Sequence, residues 1–270
     1  SYAGEITGTG SLTKLGAGNL TLSGTNTYSG GTTISDGTLT GTTINTQSTL
    51  DGGQHALTLA GNADIGGTVT ALSTLSITGT SNIGADITTS GAQTYAGAVT
   101  LSGGDRTLTA STFHTQSTVD GAGNGLTITG AADIDGVFSG ISNLSISGAT
   151  NLGANITTTG TQTYNSPVTL SDTTTTLIAD AAGVNQLITF GSTVAGNAKN
   201  LVISDDAKFQ GAVTNVGALA VTGTTNLNSS IATTGNQTYT DAVPLAGDST
   251  RSGTGPATLT TTAGITGAGN

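Results

Sequence analysis

Two histidines, fifteen acids and five cations are the residues with which this chain could carry out ordinary acid–base or metal chemistry. A Ser-His-Asp triad needs only that three groups meet in space, so composition leaves it open. No Gly-x-Ser-x-Gly turn is present, however, to expose a nucleophile. His114 stands in Thr112-Phe113-His114-Thr115-Gln116-Ser117, and the earlier Thr43-Ile44-Asn45-Thr46-Gln47-Ser48 puts Asn45 in its place. An imidazole that its own repeat replaces is expected on an exposed strand, and His55, in Gln54-His55-Ala56, in a turn. A glycan-cleaving site would need clustered carboxylates. The nearest cluster is Asp205-Asp206-Ala207-Lys208, with Asp133 and Asp135 at comparable repeat positions. Its expected role is a solvated turn. The same acids could hold Ca²⁺ between coils, but the Gly-Gly-x-Gly-x-Asp nonapeptide is missing. Asp36, Asp51 and Asp120 each precede Gly and read as turn formers. Gly121-Ala122-Gly123-Asn124-Gly125 lacks the following helix that would make it an anion site. No catalytic residue, metal ligand or cofactor-binding residue is expected.

The remaining binding candidates are Tyr28, Tyr95, Tyr164 and Tyr239. If coils were in register, these would form a surface contact row on one side, three coils apart, for sugars or a partner surface. The competing reading has each ring covering the edge of the core before a turn. Thr-x-Thr rows are reminiscent of ice-binding surfaces, but uneven repeat steps would spoil the flatness these need.

The elements that position these residues are repeated. Gln93-Thr94-Tyr95, Gln162-Thr163-Tyr164 and Gln237-Thr238-Tyr239 lie 69 and 75 residues apart, and so do Ser48-Thr49-Leu50, Ser117-Thr118-Val119 and Ser192-Thr193-Val194. Long repeats are therefore set at 48–116, 117–191 and 192–270, the last truncated, within a single solenoid segment over 1–270. Inside them recur alternating triplets ending in a turn: Leu57-Thr58-Leu59, Leu75-Ser76-Ile77, Val99-Thr100-Leu101 and Leu126-Thr127-Ile128. Apolar–polar–apolar alternation is the strand signal, and no segment carries the helical period. Short strands at steps of 18, 24 and 27 residues predict an all-β fold, a parallel β-helix (β-solenoid) of roughly 11–12 irregular coils without substantial α-helix. At about 4.8 Å per coil this is a rod of about 55 Å. Leu, Ile and Val stack inward. Thr, roughly a fifth of the chain, faces water.

Composition narrows the function. The net charge of −10 and scattered cations disfavour nucleic acid and anionic membrane as partners. No apolar run is long enough to span a bilayer, so direct membrane insertion of this segment is not expected. With no Cys, stability must come from packing and backbone pairing. The chain shows neither a signal peptide nor an initiator Met, and Ile6-Thr7-Gly8-Thr9-Gly10 is echoed by Ile265-Thr266-Gly267-Ala268-Gly269. We expect a mature or excised segment of a longer array, or a subunit whose end another copy continues. Open solenoid ends are β-edges that invite pairing, so self-association or contact with neighbouring repeats is expected.

Residues 6–40 carry the most specific text: Leu12-Thr13-Lys14, Gly16-Ala17-Gly18-Asn19-Leu20-Thr21-Leu22-Ser23-Gly24, Asn26-Thr27-Tyr28-Ser29-Gly30-Gly31-Thr32-Thr33 and Asp36-Gly37-Thr38-Leu39. This segment closely resembles the autotransporter-associated β-strand repeat of passenger domains in bacterial autotransporters and large secreted adhesins. The other units resemble filamentous-haemagglutinin-like adhesins more loosely. The resemblance implies a right-handed parallel β-helix exported through the outer membrane of a diderm bacterium and displayed or released at the cell surface. The function we expect is that of a non-enzymatic stalk acting in adhesion or biofilm, with cell-surface or matrix glycans among its partners. The alternatives are a filament subunit polymerising through its edges and, with less support, a carbohydrate-active β-helix enzyme.

Overall fold

A computed structural model describes residues 1–180, 182–245, 250–253 and 258–267. They fall into two compact units, Ser1–Ala131 and Ala132–Asn270. Each is a parallel β-solenoid, with about 13 turns in all, and no helix occurs among the described residues. The fold class read from the alternating triplets is borne out. The number of coils is higher than the expected 11–12.

The coil follows from a six-residue rhythm. In the first unit Leu57-Thr58-Leu59, Ala63-Asp64-Ile65 and Val69-Thr70 lie in three successive strands, and Leu75-Ser76-Ile77 then lands parallel on the first. Three short strands make one coil, and Leu57 pairs with Leu75 eighteen residues on. Within most strands the first and third residues are buried and the middle one faces outward. Period-two alternation dictates this once one side of the strand faces the core. The second unit is built alike: Ala132, Thr150, Val168, Val194, Val213 and Ile231 form one column, and Leu144, Gln162, Ile188 and Ala207 begin another.

The steps of 24 and 27 are corrected by this register. Leu75 pairs with Gln93, not with Val99, and Val99 pairs with Ser81 on the next face. Steps of 24 and 27 thus crossed from one face to another, which made coils appear longer and fewer.

Leu, Ile and Val at the inward positions of both units are essentially fully buried, among them Leu57, Leu75, Ile77, Leu144 and Leu219. Each contributes about 1.5–3 kcal/mol relative to an exposed side chain, set against the entropy of ordering it. The outward positions carry polar ladders. Asn82 Nδ2 donates to Asp64 Oδ1 at 2.8 Å, and Asn151 Nδ2 donates to Asp133 Oδ1 at 2.8 Å.

Candidate functional site

The four tyrosines are not a contact row. Tyr28 is 2 % exposed, and Tyr95, Tyr164 and Tyr239 are fully buried. The physical reason is alternation: in Gln-Thr-Tyr the outward residue is Thr, so Gln and Tyr both point into the core. Within the second unit Tyr164 and Tyr239 also lie on different columns, since eleven strands separate them and a coil takes three.

The buried partners of these rings explain why the triplet recurs. Tyr95, Tyr164 and Tyr239 each donate their hydroxyl to the Oε1 of the Gln two residues earlier, at 3.1, 2.9 and 3.2 Å. Gln93 Nε2 donates to the carbonyls of Ile87 (3.2 Å) and Thr109 (2.9 Å), and Gln162 Nε2 to those of Ile156 (3.4 Å) and Ile178 (2.7 Å). Gln237 Nε2 donates to Ser252 O at 3.2 Å. At the same corners Thr89, Thr158 and Thr233 donate their hydroxyls to the carbonyls of Gly91, Gly160 and Gly235. A buried amide with partners for both ends satisfies the rule that interior polar groups are hydrogen-bonded. Burial holds the Tyr95 and Tyr164 hydroxyls well above the usual tyrosine range, so they remain donors. Tyr28 differs: its hydroxyl shares a 2.8 Å hydrogen bond with Thr32 Oγ1.

The segment with the most specific text is held by a charge. Lys14 is 4 % exposed, and its Nζ donates to the carbonyls of Leu15 (3.3 Å), Gly16 (2.5 Å) and Asp36 (2.9 Å). One ammonium thereby ties the corner of its own coil to that of the next. Asn26 is fully buried; its Oδ1 accepts from Ile6 N and its Nδ2 donates to Gly24 O. Gly30 crosses the Gly10 carbonyl so closely that a Cβ would overlap it, and Gly37 has φ +72°. Its motif residues are therefore where coils cross, and they spend their polar atoms on backbone.

The titratable candidates are placed as follows. Asp205 is 1 % exposed, and its Oδ2 accepts the Ala179 N–H at 2.5 Å. Burial raises its carboxyl above the ordinary range, the Ala179 bond opposes this, and Asp180 and Asp206 add to it. Asp206 is half-buried and accepts from Thr224 N at 2.8 Å, and Lys208 is half-buried two residues on. The expected solvated turn is corrected for Asp205, which caps a backbone group from inside. His55 sits in the turn, half-buried, and accepts Ser73 N at its carbonyl. His114 is half-buried at the outward position of its strand, in register with Thr94. Asp133 is taken up by Asn151, and Asp135 is exposed. The turn-forming role of Asp36, Asp51 and Asp120 is borne out: each Oδ1 accepts a nearby N–H, from Gly37, Gly53 and Ala122 respectively, at 2.8–3.0 Å. Asp86 and Arg106 form an ion pair at 3.9 Å. Among the described residues no helix is long and apolar enough to cross a membrane.

Sequence reasoning missed the roles of Gln93, Gln162, Gln237, Lys14 and Asn26. Their signal was available: each is a polar residue at a position that alternation assigns to the core.

No curated protein and no solved structure gives a significant match to the chain. One family model does match, the passenger-associated-transport-repeat, over residues 12–40. That span holds Lys14, Asn26, Tyr28, Gly30 and Gly37, whose contacts close the first coils. Within a parallel β-solenoid, residues 12–40 are thus similar to the passenger-associated-transport-repeat, a match that supports an autotransporter passenger repeat in this segment.

Proposed function

We propose that this chain is structural: part of a passenger domain, secreted or held at the outer surface of a diderm bacterium, that serves adhesion or biofilm as a stiff stalk rather than by catalysis. The passenger repeat at 12–40 supports a secreted or surface location. The observation that carries the structural reading is where the buried polar groups go. Lys14, Asn26, Gln93, Gln162, Gln237 and Asp205 are all buried, and each is engaged with backbone of its own or an adjoining coil. A catalytic centre would instead keep such groups facing a cleft, with pKa values tuned toward a reaction. What remains for partners is an outer face of Thr, Ser, Asn and Asp. Its single contacts are weak, and their strength would come from repetition. Surface glycans are the partners whose hydroxyls suit such a face.

The test is to display residues 1–270 on a bacterium that does not otherwise adhere, and to count cells retained on glycan-coated and bare surfaces. Retention above that of cells displaying an unrelated solenoid supports the reading. Equal retention, together with glycan turnover by the purified chain that Asp205→Asn or Asp206→Asn abolishes, would replace it with an enzyme. Light scattering at several concentrations tests self-association through β-edges at the same time.

A further inference from the structure

Coil length is nearly constant where the register is described, and it departs from constancy in a regular way. From Thr32 onward most paired residues lie 18 or 19 apart, as in Thr32↔Leu50, Leu57↔Leu75, Ser81↔Val99, Leu144↔Gln162 and Leu219↔Gln237. Three coils are longer. Ile87 pairs with Leu108 and Gln93 with Phe113; Ile156 pairs with Leu177 and Gln162 with Ile188; Ile231 pairs with Arg251 and Gln237 with Leu259. The steps are 20 to 26 residues, and each of these pairings rises from the strands of a Thr–Gln–Tyr corner; the same surplus residues also lengthen the pairings on the strands that follow, Val99↔Val119 to 20 and Val168↔Val194 and Thr174↔Asn200 to 26.

The corner beneath each of these is apolar, residue for residue. Leu72, Leu75 and Ile77 pair with Thr89, Gln93 and Tyr95. Ile141, Leu144 and Ile146 pair with Thr158, Gln162 and Tyr164, and Val216, Leu219 and Val221 pair with Thr233, Gln237 and Tyr239. An apolar trio therefore supports a coil of standard length, and the polar trio appears one coil later, where the next turn is longer. We infer that the Thr–Gln–Tyr corner is a coil-expansion adaptor, a built-in device that lets the following coil take extra residues, and so carry a displayed loop, without disturbing the stack.

The mechanism is visible at the strand that arrives over the corner. Extra residues delay that strand, so its backbone must be seated by something other than the turn before it. The Gln amide seats it from inside, through Thr109 O, Ile178 O or Ser252 O. In two of the three coils a second side chain seats it two residues earlier: Thr107 N donates to Asp86 Oδ1 at 2.9 Å, and Thr176 N to Asn155 Oδ1 at 2.8 Å. The wider turn also needs more volume inside, which aromatic rings supply. Phe113 meets Tyr95 at 5.5 Å between centroids, and Phe190 stacks on Tyr164 at 5.4 Å and on Phe209 at 5.0 Å. Held at the strand, the surplus chain is confined to turns such as Ser102–Asp105, where Gly103 and Gly104 have φ +72° and +120°. The coil over Gln162 carries the largest surplus, including a bridge between Asp180 and Asn185.

The test inserts six Gly/Ser residues between Gly103 and Gly104 of the full 270-residue chain and reads amide exchange across Leu108–Thr115. With the native corner, protection is expected to change by less than about threefold; with Thr89→Leu/Gln93→Leu/Tyr95→Ile, the trio of the coil beneath, the same insertion should lower it by more than about tenfold. The same six residues between Gly79 and Thr80, in the turn after the apolar corner itself, where Leu57 and Leu59 lie beneath Leu75 and Ile77 and no Thr–Gln–Tyr corner supports the coil, should lower protection in the native chain as well. If the triple change prevents folding, Gln93→Met supplies the comparison, since it keeps the volume and removes the donors. Equal effects of the insertion in both corner backgrounds, or equal tolerance at Gly79, would overturn the inference.

Discussion

Replacing Gln162 by Leu isolates the energetics of one polar corner. Gln162 is fully buried, and the residue beneath it in register is Leu144, so a leucine fits that column. The substitution removes the 2.7 Å bond to Ile178 O and the weaker ones to Ile156 O and Thr158 Oγ1. A net hydrogen bond is worth about 0.5–1.5 kcal/mol, and a buried polar group left alone costs about 1–3 kcal/mol. The Tyr164 hydroxyl loses the acceptor to which it donates at 2.9 Å, and it can neither reach water nor ionise, because burial holds its pKa far above normal. Set against this is the gain of burying leucine in place of an amide, about 1 kcal/mol on the scale of a methylene or two. The expected net loss is about 2–3 kcal/mol. Urea unfolding followed by circular dichroism measures it, and a second substitution apportions it. Tyr164→Phe in the Gln162→Leu background removes the orphaned hydroxyl and should restore about 1–2 kcal/mol, whereas Tyr164→Phe alone should destabilise. If the double variant were no more stable than Gln162→Leu, the hydroxyl would not be paired as described. If Gln162→Leu equalled the native chain, buried polar corners would carry no stability.

Three further substitutions test other groups. Lys14→Met keeps the length of the stem but leaves the carbonyls of Gly16 and Asp36 without their donor; it should cost about 2–3 kcal/mol in the same urea assay, and a loss below half a kcal/mol would refute the bridging role. Thr225→Val should stabilise by about 1 kcal/mol, because the Thr225 hydroxyl is fully buried without a hydrogen-bond partner; a lower melting temperature would contradict this. Asp205→Asn keeps an acceptor for Ala179 N–H while removing a buried charge. Because burial raises the Asp205 pKa in the folded chain, the proton is held more tightly folded than unfolded, so its stabilising effect is full below the ordinary carboxylate pKa and is lost as pH rises through the folded value. The variant should therefore match the native chain near pH 4 and exceed it at pH 8; equal stability at both would show that the carboxylate is not desolvated.

The strands, their parallel stacking and the inward Leu, Ile and Val were legible because each short strand repeats the same alternation. The step from Leu57 to Leu75 was also a true coil. What was hidden was hidden by polarity. A charged lysine reads as solvated, yet Lys14 is buried because a corner gathers carbonyls from two coils around it. The Gln-Thr-Tyr triplet carries the same alternation as Leu-Ser-Ile, but its first residue is polar, which leaves a surface row and a ring at the core edge both open in the sequence; burial decides for the core. Asp36, Asp51 and Asp120 could be read locally because an Asx turn closes within one or two residues. Asp205 could not: its partner, Ala179, lies 26 residues away on the preceding coil.

The long repeat and the coil obey different arithmetic, and this bears on what the repeat preserves. From Gln162-Thr163-Tyr164 to Gln237-Thr238-Tyr239 the second unit advances eleven strands, one short of four whole coils of three. The first triplet pairs onward with Ile188 and then Ala207, and the second continues the column of Leu201 and Leu219. Successive repeats thus present their corners on different columns. A duplication that built a ligand-binding row would have to return to the same face, because a row is a property of one face. What survives the change of face is the sequence of an apolar corner, a polar corner and a longer coil. Such a corner works wherever it falls on the coil, since the side-chain hydrogen bonds of its Thr and Gln run to the coil it belongs to and the one above. Within the second unit the repeat is thus a unit of construction that brings longer coils to different faces, which suits a stalk meeting its surroundings from several sides better than an enzyme organised around one cleft.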